Sequence, residues 1–138
     1  MFAADPFVGT WKLDPARSSG TIPKDETVII QERGQTLSVE VQVTIGGPDN
    51  SVLLIKYATP KRGGAGRVEK GPYDGVSLHR IDARSMETVY LSGGKEIRST
   101  WASVSKDGRT MTSTGRTLSE DEKSAWVMVF QKQLKSNR

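Results

Sequence analysis

Nine residues, Leu37 to Ile45, alternate without a break. Leu37, Val39, Val41, Val43 and Ile45 fall on one side; Ser38, Glu40, Gln42 and Thr44 fall on the other. A β-strand points successive side chains to opposite faces, so this pattern makes one apolar and one polar surface only if the segment is extended. β-Branched residues suit such a pleated, half-buried surface. A chain built of segments like this one must find a common interior for their apolar faces.

The neighbouring segments follow the same rule and are separated by short links. Gly34-Gln35, Gly46-Gly47-Pro48-Asp49-Asn50, Asp82-Ala83-Arg84-Ser85, Gly93-Gly94 and Lys106-Asp107-Gly108-Arg109 are rich in residues that tolerate positive φ. Links of this length pair neighbouring strands antiparallel and leave no room for a crossover helix. The predicted strands cover 7–13, 27–33, 36–45, 51–58, 66–70, 75–82, 86–92, 95–105, 109–118 and 125–134. Pro60 to Gly75 carries glycines and prolines and reads as an open loop around the 66–70 strand. Asp14–Asp25 reads as a second long loop, and Ser119 to Ser124 as a single helical turn with a Ser cap and acids behind it. Ten antiparallel strands leave exposed edges unless the sheet closes on itself. The expected fold is therefore all-β, an up-and-down meander closed as an 8–10-stranded barrel, with a two-sheet sandwich as the alternative.

Composition narrows the function classes. The 138 residues suit one domain, 1–138, and the 35% hydrophobic and 26% charged residues fit strands with one polar face. No cysteine is present, which excludes a disulfide scaffold, a thiolate metal site and a cysteine nucleophile. A net charge of +4, with its densest cluster at Lys61, Arg62, Arg67 and Lys70, is too mild for a nucleic-acid stripe. No apolar run approaches the roughly 20 residues of a membrane-spanning helix. Met1-Phe2-Ala3-Ala4-Asp5-Pro6 suits the remnant of a clipped leader, which favours a secreted or periplasmic compartment.

The first strand reads Phe7-Val8-Gly9-Thr10-Trp11-Lys12-Leu13. This Phe-x-Gly-x-Trp-x-Leu pattern resembles the opening strand of the calycin superfamily, which includes lipocalins, fatty-acid-binding proteins and bacterial lipocalin-like domains. The resemblance implies that Gly9 lets the strand bend and that Trp11 plugs the closed end of the barrel. It also implies carriage of a small apolar or amphipathic molecule in the lumen. Two departures stand out. Asp14–Asp25 is too short and too rich in helix breakers for a helical lid. The Arg-x-Tyr pair by which fatty-acid-binding proteins hold a carboxylate is matched here by Met128 and Phe130, which cannot do so.

Trp101 and Tyr90, flanked by small Ser and Thr residues, are the side chains expected to face a cavity, with Tyr57, Ile97, Met111, Met128 and Phe130 as further lumenal candidates. His79 is the only histidine. A lumenal His79 beside a carboxylate would make a barrel enzyme, but one imidazole offers no triad and no ordinary zinc site. Glu120, Asp121 and Glu122 read as a solvated turn. Gly63-Gly64-Ala65-Gly66 lacks the Lys-Ser/Thr and the helix of a phosphate loop and reads as a rim. No metal, cofactor or nucleic acid is expected. The expected partner is a small apolar ligand, bound by a monomer or homodimer. A packed barrel serving protein interactions is the alternative.

Overall fold

The computed structural model describes residues 5–46, 51–118 and 124–133. The leader-like stretch before Asp5, the turn at 47–50, the acidic turn at 119–123 and the end of the last predicted strand lie outside the described residues. Among the described residues twelve strands form: β1 (Gly9–Leu13), β2 (Ser19–Gly20), β3 (Asp25–Arg33), β4 (Thr36–Gly46), β5 (Ser51–Pro60), β6 (Gly64–Ala65), β7 (Arg67–Lys70), β8 (Gly75–Asp82), β9 (Ser85–Ser92), β10 (Lys95–Val104), β11 (Thr110–Thr117) and β12 (Ala125–Lys132). The number exceeds the expected ten because Ser19–Gly20 and Gly64–Ala65 also pair. Among the described residues the remaining regular element is a single 3-10 turn, Pro15–Arg17.

All twelve strands belong to one antiparallel sheet, so the sandwich alternative is not what the chain forms. Its order is β6-β8-β9-β10-β11-β12-β1-β3-β4-β5-β7, with β2 added beside β12. The two ends of this path are consecutive in the chain. β6 pairs with β8 and β7 pairs with β5, and only Gly66 lies between them. One short stretch thus changes partner midway and staples the barrel nearly shut. The Gly66 N–H donates to the Val76 carbonyl at 2.8 Å. A Cβ there would strike the Ala58 carbonyl, so only glycine lets the seam close this tightly. The Pro60–Gly75 segment, expected to be an open loop, is this closing seam.

One end of the barrel is packed solid. Phe7, Trp11, Leu37 and Phe130 are the largest fully buried side chains. The Trp11 indole N–H donates to the Phe7 carbonyl at 2.9 Å, which satisfies a polar group that burial would otherwise penalise. The Lys132 ammonium lies 5.1 Å from the centre of the Trp11 ring, and its stem crosses Gly9, where a Cβ would come within 2.6 Å of Lys132 Cε. Gly9 has φ +147°, a conformation other residues rarely adopt. Arg80 stacks 5.1 Å from the Phe7 ring centre and pairs with Asp5 at 3.0 Å, tying the entering chain across the floor.

Candidate functional site

Above this floor the same inward faces leave space. A cavity of about 410 Å³ occupies the other half of the barrel. That volume lies within the usual range for small-molecule sites. Phe7, Trp11, Leu37 and Phe130 do not reach it; they form its base. Its deep wall is apolar: Val28, Ile30, Val39, Met86, Met111 and Met128. Val28 sits directly opposite Trp11 in the β1–β3 ladder, which places this wall just above the plug.

The other end is polar. Glu26 lies two residues further along the inward face of β3 than Val28, and Arg98 projects from β10 between its partners Tyr90 and Thr117. Both line the cavity, with Tyr73 and Trp126. The Arg98 guanidinium lies 4.2 Å from the centre of the Trp126 ring and 5.9 Å from that of Tyr90, and its Nη1 is 3.5 Å from the Tyr73 hydroxyl. Among the described residues no carboxylate pairs with Arg98. Among the described residues Trp126 Nε1–H is a buried donor without an acceptor. Buried N–H groups are nearly always satisfied; this one is packed against Gly115 and shielded from the open lumen.

Burial pushes the Glu26 carboxyl from 4.5 up to about 7; Arg98 opposes the shift and Asp25 adds to it. Lower in the lumen, the Tyr57 and Tyr90 hydroxyls meet at 3.1 Å with their rings edge to face. Burial holds both phenols above their ordinary 10. They are neutral hydrogen-bonding groups at any ordinary pH.

The residues singled out from the sequence divide into two sets. Tyr57, Tyr90, Met111 and Met128 line the cavity, and Phe130 is buried beneath it. Trp101 does not face inward: it stands on the outer surface, 49% exposed. The reason is a one-residue bulge. Leu91 pairs with Glu96, but Tyr90 then pairs with Arg98, and Ile97 is the extra residue. Without the bulge Ile97 would face Tyr90, and Ser99 and Trp101 would follow it into the lumen. The inserted residue turns every later side chain to the opposite face, so Arg98, Thr100 and Ala102 point in instead.

His79 is also outside. Its side chain is 73% exposed and lies 3.6 Å from Glu87, its partner on the outer face, so a lumenal histidine is ruled out. Among the described residues no three metal-ligating side chains gather to hold an ion, and no helix is long and apolar enough to cross a membrane. Glu26, Arg98, Tyr73 and Trp126 were not picked out from the sequence. A charged residue inside a strand reads as solvated, and only the bulge reveals that Arg98 points inward.

The arrangement defines a class: a nearly closed antiparallel barrel, plugged at one end, with a lumen that is apolar in its depth and polar towards the other end. No protein-family model matches the chain, and no curated protein sequence does. In fold it is similar to the zebrafish ileal bile acid-binding protein in complex with cholic acid, with a TM-score of 0.57 and 13% identity over 93% of this chain and 99% of that one.

Proposed function

We propose that the barrel binds or carries, without catalysis, a small amphipathic molecule bearing an anionic group. The apolar body lies among Val28, Ile30, Met86, Met111 and Met128. The anion sits on Arg98, whose guanidinium stacks on the Trp126 ring. One observation carries this reading: an apolar cavity contains a guanidinium that, among the described residues, no carboxylate pairs with directly. Buried charges ordinarily have partners, and here the partner is the ligand. The barrel shared with a bile acid-binding protein supports it, since cholic acid is itself an amphipathic carboxylic acid. Kinship with bacterial lipocalin-like domains, implied by Phe7-x-Gly9-x-Trp11, belongs to the same proposal. A packed lumen serving only protein contacts is disfavoured by the cavity itself.

Two dyes with one aromatic body test the reading by fluorescence titration. Anilinonaphthalenesulfonate carries a permanent anion; phenylnaphthylamine lacks it. Both are expected to bind, the sulfonate more tightly. Arg98→Met is expected to weaken the sulfonate by about 10- to 100-fold, the worth of a charge-assisted hydrogen bond, and to leave the neutral dye nearly unchanged. Failure of both dyes to bind, or equal weakening of both by Arg98→Met, refutes it.

A further inference from the structure

Glu26 has no role in holding an anion, yet it shares the cavity with Arg98. We propose that Glu26 makes ligand binding proton-linked: the anion is admitted to Arg98 only with Glu26 protonated, and an ionised Glu26 expels it. The inference rests on the reading of the lumen given above.

The geometry carries the argument. Glu26 and Arg98 both line one cavity of about 410 Å³, so a bound anion and an ionised Glu26 would face the same guanidinium. Inside a low-dielectric lumen two negative charges around a single cation repel strongly, and the carboxyl resolves this by keeping its proton. The groups acting on Glu26 are few. Arg98 faces it from β10, Asp25 precedes it on β3, and the Tyr57 and Tyr90 phenols act on it from β5 and β9. Its partner on β4 is Val43, which brings no charge. The two phenols stay neutral until strongly alkaline pH. Glu26 is therefore the group in this set whose charge changes near neutrality, at about 7. His79 is on the outer face.

The result is a specificity device with a direction. Below neutrality the lumen presents a lone cation and a neutral carboxyl, and it accepts anions. Above neutrality its net charge cancels, and the preference for anions over neutral ligands falls away. A ligand taken up in a mildly acidic medium would be released in an alkaline one.

The test uses the intact chain and anilinonaphthalenesulfonate, whose sulfonate is ionised at every relevant pH. Its affinity is expected to fall about tenfold between pH 6 and pH 8, as a single protonation requires. Calorimetry near pH 8, in buffers of different ionisation enthalpy, is expected to show uptake of close to one proton per dye bound. Glu26→Gln is expected to abolish both the pH dependence and the proton uptake. Phenylnaphthylamine is expected to bind independently of pH. Tight binding of the sulfonate with no proton exchange and no pH dependence overturns the linkage and leaves the lumen reading intact. Absence of binding at every pH overturns that reading, and the linkage with it. The calorimetric result stands on the wild-type chain alone, so a poorly folded variant does not rescue the proposal.

Discussion

Gly115 on β11 gives the sharpest stability prediction. A Cβ built there would lie within 3.0 Å of the Trp126 indole, where ordinary contact begins at 3.4 Å. The ring has little freedom to withdraw, because the Arg98 guanidinium stacks on it with 4.2 Å to the ring centre. Two opposing effects act in Gly115→Ala. Replacing a strand glycine restricts the unfolded chain and stabilises by roughly 0.4–1 kcal/mol. Forcing the indole aside by on the order of 1 Å overpacks the wall and costs about 1–3 kcal/mol, and loosening the guanidinium from the ring costs roughly 0.5–2 kcal/mol more. The clash wins, and the variant is expected to be less stable by about 1–3 kcal/mol in urea unfolding, with an unchanged slope against denaturant. The displaced ring also intrudes on the lumen, so sulfonate dye affinity falls. A neutral or stabilising outcome would show that Trp126 is not wedged between Gly115 and Arg98, and the anion subsite built on that wedge would lose its support.

Two further outcomes concern ionisation. Glu26 holds its proton in the folded chain up to about 7 but releases it near 4.5 when unfolded. Its stabilising contribution is therefore complete below pH 4.5 and is lost as pH rises through 7, a change of about 3 kcal/mol. Glu26→Gln should be more stable than wild type at pH 8 by up to that amount and should lose the advantage below pH 4.5; an equal difference at both pH values contradicts it. Tyr57 and Tyr90, held above 10 by burial, should show no phenolate absorbance until the barrel unfolds in alkali. Three tyrosines ionising reversibly in a folded chain would contradict their seclusion.

The strands were legible because alternation is a local property. The predicted 75–82 and 95–105 segments correspond to Gly75–Asp82 and Lys95–Val104, and Leu37 to Ile45 lies inside Thr36–Gly46. Short glycine turns set the meander, and closure followed from the edges it would otherwise leave. What could not be read was anything that depends on register. β6 and β7 pair only because the barrel brings β5 and β8 to either side of Gly66, and a two-residue strand has no periodicity of its own. The lining of the lumen depends on register as well. Tyr90 faces it as alternation suggests, but one bulged residue at Ile97 exchanges Trp101 for Arg98. Large apolar side chains attract attention in a sequence, whereas the polar end of this cavity is built from an arginine, a carboxyl and the indole ring under that arginine, whose placement only the paired strands determine.

The three tryptophans allow a direct reading of where a ligand goes. Each indole N–H gives one signal in a nitrogen–proton correlation spectrum, assignable by replacing Trp101 with Phe. Trp11 is sealed in the floor, Trp101 stands outside, and the Trp126 ring lines the cavity. Adding anilinonaphthalenesulfonate should shift the Trp126 signal, because its ring lines the occupied lumen, and leave Trp101 in place. A shift confined to Trp101, with Trp126 unmoved, would place the dye on the outer surface and contradict a ligand-holding lumen.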